Sequence, residues 1–283
     1  MKKLPVILLS SVLAGSAFAP AAGLMLDFGA TSVASPFETL SPGHDDGTFS
    51  GSDTFWNTIT SNTPPALRYS DDTPASGVTM VLGQEASVGN GIISYSTNIE
   101  KTNLAGSGAG SAGQQSPYGV GSIYEGTAAG RDGFFGGGSS TAGAAIGLRL
   151  DGLAAGDYIA YMMGRNTNTN APSSSASLAT SFHVTTGASS GTFTFGSAPA
   201  EIAANLTYAS DGYADEYNSF DEGNNFVAIS FNVADGDSVF IAADSAGTDA
   251  RGFLNMVQIV AVPEPSSALL GALGCLFLTR RRR

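Results

Sequence analysis

The sequence predicts an all-β protein, a β-sandwich of the jelly-roll type, and three observations support this prediction. Short stretches of β-branched and aromatic residues recur between turn residues along most of the chain. Turn signals such as Asp151-Gly152, Gly156-Asp157 and Asp235-Gly236 separate these stretches. Lysine is nearly absent, and long helical patterns of Leu, Glu and Lys do not occur. About a dozen short strands in one chain are typical of a sandwich.

Residues 1–21 are predicted to be a signal peptide, the first element of the chain. Two lysines precede the apolar stretch 4–13, and the A-x-A cleavage pattern 17–19 follows it. Pro20 disfavours cleavage directly before it, so the overlapping A-x-A pattern 19–21 places the new N-terminus at residue 22 or 23. We therefore expect an exported chain whose first partner is signal peptidase; an uncleaved signal helix is the alternative.

Residues 23–261 are predicted to form a single sandwich domain. About 240 residues can bury one core without disulfides, and the only cysteine, Cys275, lies outside this range. The apolar and polar residues of 226–231 and 238–241 alternate, which gives each strand one apolar face. The pattern Gly-Leu-x-x-Gly-x-Tyr at 152–158 is a turn whose Leu and Tyr are expected to pack beneath it. The predicted strands are 24–28, 54–59, 78–82, 92–96, 146–150, 158–163, 182–185, 192–195, 202–208, 227–232, 239–242 and 253–260.

A glycine-rich stretch, residues 104–143, interrupts the strand pattern, since 13 of its 40 residues are glycine. A loop of this length without structure of its own is uncommon in a compact domain. We expect a long ordered excursion over the sandwich, anchored by Tyr124, Phe134 and Phe135. The sequence G-x-G-x-x-G occurs at 108–113, but no strand pattern precedes it and no helix pattern follows, so nucleotide binding is not predicted.

The last 22 residues, 262–283, differ from the rest of the chain. Val262-Pro263-Glu264-Pro265 precedes 13 mostly apolar residues, and four consecutive arginines end the chain. A spanning helix needs about 20 apolar residues, so a short transmembrane helix is predicted that acts as a weak stop-transfer segment, with the arginines on the cytoplasmic side. Pro263 and Pro265 disfavour both an α-helix and a hydrogen-bonded strand in this joint. We therefore expect the joint to be accessible to a processing enzyme. The predicted anchor residues are Leu269, Leu270, Leu273, Leu276, Phe277, Leu278, Arg280, Arg281, Arg282 and Arg283.

This order of features resembles the PEP-CTERM sorting signal of Gram-negative bacteria that make exopolysaccharide. The resemblance implies recognition by a membrane protease-transpeptidase of the exosortase type, which removes the tail. It further implies transient anchoring in the inner membrane, a final location on the cell envelope surface or outside the cell, and exopolysaccharide as a candidate partner. An ordinary tail anchor is the alternative. Residues 23–261 form the body of the chain, which opens with Asp27-Phe28-Gly29. This body resembles uncharacterised PEP-CTERM bodies and, in outline, galactose-binding-like sandwiches.

The net charge of the body limits which classes of molecule it can bind. Without the two ends, the chain carries 23 acidic and six basic residues, a formal charge of −17. Nucleic acid is not expected as a partner, because phosphate binding needs clustered Lys and Arg. Divalent cations and neutral sugars suit such a body better, although an acidic surface also serves solubility alone.

Acidic loops make Ca²⁺ the candidate cofactor. Calcium takes six to eight oxygen ligands from carboxylates, amides and carbonyls, and residues 44–46, 211–216 and 221–225 concentrate such groups. No complete calcium-binding loop motif is present, and acidic loops that face water are the alternative. Exposed aromatic residues of the same region are candidates for sugar contacts, whereas Trp56 is expected in the core. The candidate calcium ligands are Asp211, Asp215, Glu216, Asp221 and Glu222, and the candidate sugar-contacting residues are Tyr213 and Tyr217.

No catalytic residues and no enzyme activity are predicted. The body has two histidines, His44 and His183, no cysteine and no nucleophile-elbow motif, and His183 is expected on the surface of a strand. Two functions remain: a non-enzymatic cell-surface or extracellular-matrix protein, and a carbohydrate-binding module or glycan hydrolase on the same sandwich. A concave face with two exposed aromatic residues and several carboxylates would favour the second function.

Overall fold

The computed structural model of the chain describes residues 22–29, 32–62, 64–96, 123–125, 127–136, 144–165, 179–196, 198–204, 219–247 and 251–263. Within these ranges the regular structure is almost entirely β, with one short α helix, α1 (Pro42–Asp45), and one 3-10 turn at Phe37–Thr39. The strands are β1 (Leu24–Phe28), β2 (Asn57–Ile59), β3 (Thr79–Glu85), β4 (Ile92–Ser94), β5 (Phe134–Phe135), β6 (Ile146–Asp151), β7 (Gly156–Met163), β8 (Thr180–Gly187), β9 (Thr192–Thr194), β10 (Ala200–Ala203), β11 (Val227–Val233), β12 (Ser238–Ser245), β13 (Phe253–Leu254) and β14 (Met256–Ala261).

Two sheets contain most of these strands. A five-stranded sheet has the order β11-β7-β14-β1-β2, and a seven-stranded sheet has the order β10-β8-β12-β6-β3-β4-β9. Neighbouring strands are antiparallel except for the parallel pair β1 and β2. A small third sheet pairs β13 with β5. The all-β, sandwich-like character predicted from the sequence is confirmed, whereas the predicted signal helix and C-terminal helix lie outside the described residues.

The main core lies between the two large sheets. Alternate residues of β1 and β14, such as Leu26 and Val257, bury their side chains against residues of the seven-stranded sheet such as Leu148 and Ile241. This follows from the two-residue period of a strand, which sends every second side chain to one face. Burying one such side chain fully contributes about 1.5–3 kcal/mol of stability, so the interface between the sheets is the principal source of stability.

The outer face of the five-stranded sheet is also covered. Two segments, 32–56 and 123–131, place residues such as Phe49 and Tyr124 over the outward-facing Met25 and Met256. Trp56 belongs to this second cluster and donates its indole N–H to the Glu38 carbonyl at 2.8 Å, as a core tryptophan should. Because the sheet is covered on both sides, its outward-facing polar side chains are buried as well.

Strand β9 and the residues that follow it pack on the outer face of the seven-stranded sheet, which corrects one prediction. Phe193 and Phe195 pack on Phe240 there. His183, which we predicted on a strand surface, is instead buried and lies with Nδ1 3.2 Å from the Ala198 carbonyl oxygen. The prediction was wrong because strand alternation shows that a residue faces outward, but it does not show that Phe195 and Ala198 cover that face.

The described part of the glycine-rich excursion is anchored as expected. Tyr124, Phe134 and Phe135 are all buried, and the last two form β5, which pairs with β13. The turn at 152–158 is also as predicted, since the Tyr158 hydroxyl donates to the Ala154 carbonyl at 2.8 Å above the core. These anchors hold the described segments 123–125 and 127–136 against the body, Tyr124 on the outer face of the five-stranded sheet and β5 on β13.

Candidate functional site

The predicted sorting joint begins where a central strand ends. Strand β14 stops at Ala261, and Val262 donates its backbone N–H to the Asp157 carbonyl at 2.8 Å. Val262 is 39% exposed, and Pro263 is exposed too. The chain therefore leaves the sandwich as an accessible segment directly after a fully paired strand. Glu264, Pro265, the predicted anchor residues and the arginine tail lie outside the described residues.

The two ends of the described chain lie at the same end of the sandwich. Leu24 of β1 pairs with Ile259 of the antiparallel β14. Gly23 is so close to this strand that a Cβ added to it would lie 2.6 Å from the Ile259 carbonyl oxygen. Ala22 and Ala261 line one pocket of about 330 Å³. The segment that follows the predicted signal peptide and the joint that precedes the predicted sorting tail are therefore neighbours.

Of the predicted calcium ligands, the structure describes Asp221 and Glu222, and both are exposed. The loop is held by Asn225, whose side-chain oxygen accepts the Asp221 backbone N–H at 3.0 Å. Within the described ranges, no group of three or more His, Cys, Asp or Glu residues could hold a metal ion. The remaining candidates, Asp211, Tyr213, Asp215, Glu216 and Tyr217, lie outside the described residues.

The acidic stretches 44–46 and 221–225 meet at Tyr161, which the sequence did not predict. The Tyr161 hydroxyl donates to the Asp46 carboxylate and lies 2.9 Å from the Thr48 hydroxyl. Burial, the bond to Asp46 and the charge of Glu222 together raise the pKa of Tyr161 to about 12. Asp46 and Glu222, 176 positions apart in the sequence, thus act on one phenol on the outer face of the five-stranded sheet.

A polar pocket of about 380 Å³ lies beside this acidic surface, between α1 and the start of the 219–226 loop. His44 and Asp45 line it together with two aromatic residues, Phe49 and Phe220. Phe49 is only 3% exposed, because its ring packs into the cluster above the sheet. Phe220 is the partly exposed aromatic residue of the pocket. The pocket thus presents one partly exposed aromatic ring and one carboxylate side chain.

A chain of hydrogen bonds fixes the protonation of His44. The Gln258 side-chain amide donates to Ser41 Oγ at 2.8 Å, and Ser41 Oγ lies 2.6 Å from His44 Nδ1. His44 Nε2 lies 2.8 Å from the Asp53 carbonyl oxygen, which can only accept, so we assign the proton to Nε2. Burial lowers the pKa of His44, which favours this neutral form. Ser41 is fully buried, and its contacts with Gln258 and His44 connect α1 to β14.

No family model, curated protein or solved structure matches this chain. Within the described ranges, no helix is both long enough and apolar enough to cross a membrane. A function has to be inferred from the residues of the chain itself.

Proposed function

We propose that this chain is an exported, non-enzymatic cell-surface or extracellular-matrix protein whose C-terminal tail is a sorting signal of the PEP-CTERM type. The observation that carries the proposal is the position of Val262-Pro263-Glu264-Pro265 directly after β14. Proteases cleave exposed, extended backbone, and Val262 and Pro263 are exposed. Cleavage at or beyond this joint leaves the core intact, because the last strand ends at Ala261.

The processing partners of this proposal are signal peptidase and an enzyme of the exosortase type. The neighbouring positions of Ala22 and Ala261 support it. With both ends at one end of the sandwich, the body can fold while the signal peptide and the tail helix are still inserted in the same membrane. The body's charge of −17 disfavours nucleic acid and leaves neutral exopolysaccharide or a divalent cation as candidate ligands.

We predict that the mature protein, isolated from the organism that makes it, lacks both residues 1–21 and the arginine tail. The A-x-A patterns and the Pro-Glu-Pro joint are the reason, since each lies beside an apolar segment in the sequence. Intact mass spectrometry of the surface-exposed protein measures the outcome. Recovery of a surface-exposed chain that still carries Arg283 would refute the proposal.

A pair of double variants separates recognition of the joint from general effects of proline. Replacing Pro263 and Pro265 with alanine should block removal of the tail and retain the chain in the membrane fraction. The matched control replaces two exposed prolines of the body, Pro65 and Pro199, with alanine. The control should be processed as completely as the wild-type chain. Equal processing of both double variants would show that the joint is not recognised.

A carbohydrate-binding module or glycan hydrolase is the second candidate, and the pocket beside α1 is the observation that favours it. Phe220 and Asp45 line this pocket, and Asp46 and Glu222 lie near the same surface. Glycan-array screening of the body, with and without calcium, tests this candidate. Binding that is lost in Phe220→Ala would support it, and an array without any bound glycan would leave the non-enzymatic surface protein as the better proposal.

A further inference from the structure

Asp27 is a fully buried carboxylate on the outward face of β1. It alternates with Leu26 and Phe28, which face the main core, and it pairs with Met256 of β14. Its side chain is 0% exposed. No described group makes a hydrogen bond of normal geometry to either carboxylate oxygen, and neither ion pair of the described chain includes Asp27. An ionised carboxylate in such surroundings is very unfavourable without a counter-charge.

A second buried carboxylate, Asp132, faces the same segment from the glycine-rich excursion. It is also 0% exposed. Its carboxylate lies against Gly29, where an added Cβ would be 2.3 Å from the Asp132 Cγ and Oδ2 atoms. Burial raises the pKa of Asp27 well above its usual range, and the charge of Asp132 raises it further, whereas the Val33 backbone amide acts in the opposite direction. Two acidic groups are therefore held together between β1 and residues 127–136.

Asn255 fixes the geometry of both acidic segments. Its side-chain amide donates to the carbonyls of Asp132 at 2.9 Å and Gly130 at 3.3 Å. Its backbone carbonyl accepts the Phe28 N–H at 2.9 Å, next to Asp27. Each carbonyl oxygen has a second lone pair for a further partner. The two carboxylates and several carbonyl oxygens thus lie on backbone that one buried residue holds rigid.

We propose that Asp27 and Asp132 bind one Ca²⁺ ion between β1 and the 127–136 segment. Calcium takes six to eight oxygen ligands in flexible geometry and accepts carboxylates together with backbone carbonyls, whereas Mg²⁺ retains most of its waters and suits a dry site poorly. The ion supplies the counter-charge that the described chain does not give Asp27. It also links the first strand of the body to the excursion. This site is separate from the exposed Asp221 and Glu222 loop.

Calorimetric titration of the full-length chain with CaCl₂, in a mild non-ionic detergent after removal of divalent ions by EDTA, tests the proposal. The wild-type chain should bind calcium in this titration. In a separate thermal measurement, its melting temperature should rise more in CaCl₂ than in NaCl of equal ionic strength. Asp27→Asn and Asp132→Asn should each weaken calcium binding at this site by at least about ten-fold. Substituting a residue that only hydrogen-bonds to a metal ligand already lowers metal affinity by about that factor. The matched control is Asp221→Asn, which makes the same substitution at an exposed acidic residue. This variant should bind calcium at the Asp27 and Asp132 site as tightly as the wild-type chain does.

The calcium-free melting temperature separates lost binding from lost folding. An amide replaces a buried carboxyl group in Asp27→Asn, so this variant should melt no lower than the calcium-free wild-type chain and should lose the calcium response that comes from this site. If Asp27→Asn or Asp132→Asn misfolds, the other variant provides an independent measurement. Equal calcium stoichiometry in the wild type and both variants would overturn the proposal. A wild-type chain that binds no calcium, with Asp27→Asn more stable at neutral pH, would also overturn it and would show that the two carboxyl groups share a proton.

Discussion

Substitution of Asn255 by alanine should be among the most destabilising single changes in the body. The Asn255 side chain is fully buried and joins three parts of the chain. Its Oδ1 accepts the Arg165 backbone N–H at 2.6 Å, and its Nδ2 donates to the Asp132 and Gly130 carbonyls. Alanine removes all three bonds and leaves the backbone groups buried without these partners.

The expected loss can be worked out bond by bond. A buried polar group that loses its partner costs about 1–3 kcal/mol. The bonds to Arg165 and Asp132 have ordinary or short lengths of 2.6 and 2.9 Å, whereas the bond to Gly130 is long at 3.3 Å. Two full losses give about 2–6 kcal/mol and the weak one adds little, so we expect a loss near the middle of this range, about 4 kcal/mol. Since domains of this kind are stable by about 5–15 kcal/mol, the variant should remain folded at 25 °C but unfold at a much lower urea concentration.

Urea unfolding of the body, followed by the fluorescence of its only tryptophan, Trp56, measures this loss. Trp56 is buried above the five-stranded sheet, so its emission reports on the affected region. The matched control is Asn232→Ala, which removes two comparable bonds from an exposed asparagine, to the Asp157 carboxylate at 2.8 Å and the Gly156 carbonyl at 3.3 Å. The control should cost less than about 0.5 kcal/mol. Similar losses for the two variants would refute the role assigned to Asn255.

Two further predictions concern the acidic loop and the buried histidine. If the 211–222 loop binds calcium, CaCl₂ should raise the melting temperature of an Asp27→Asn chain more than NaCl of equal ionic strength does. This difference between the two salts should shrink when Asp215 and Asp221 are also changed to Asn. Equal shifts in the two salts would show that Asp215 and Asp221 are ordinary solvated acids. Because burial lowers the pKa of His44, stability should fall as the pH drops below the unfolded value of about 6.5. In a series of melting temperatures measured between about pH 7 and pH 5, His44→Gln should remove this pH-dependent loss of stability. An unchanged slope would show that His44 is not its source.

The strands were the most predictable part of the fold, because their pattern is local. Strand β1 has the predicted bounds, and β6 extends the prediction by one residue. Strand β12 runs from Ser238 to Ser245, well beyond the predicted 239–242. Its polar end, Asp244-Ser245, pairs with β8 in the backbone ladder, and side-chain patterns do not report backbone pairing.

The buried polar groups could not be predicted, because their partners are distant in the sequence. The predicted strand 253–260 is interrupted at Asn255, where the chain passes from β13 to β14. The side-chain partners of Asn255 at Gly130 and Asp132 lie more than 120 positions away. Asp27 was noted only as part of the Asp27-Phe28-Gly29 opening, since its burial depends on segments that the sequence does not place.

The candidate ligands show the same division. The sequence predicted 44–46 and 221–225 as acidic loops from composition; 221–225 is a loop, whereas His44 and Asp45 belong to helix α1, Pro42–Asp45. It could not show that Asp46 and Glu222 would both act on Tyr161, because that depends on how α1 and the 219–226 loop dock on the five-stranded sheet. Composition therefore identified the acidic segments, and only tertiary packing identified which of them share a surface.

The position of the joint after β14 has a mechanical consequence for a protein attached to a surface there. Traction on the joint acts along the axis of β14, which forms six residue pairs with β7 on one side and four with β1 on the other. To extract the strand, the force must shear both ladders at once, so their hydrogen bonds share the load. A joint that followed the edge strand β11 would load a single ladder. Attachment at Val262 thus applies shear from flow or from a moving matrix to a strand that is held from both sides.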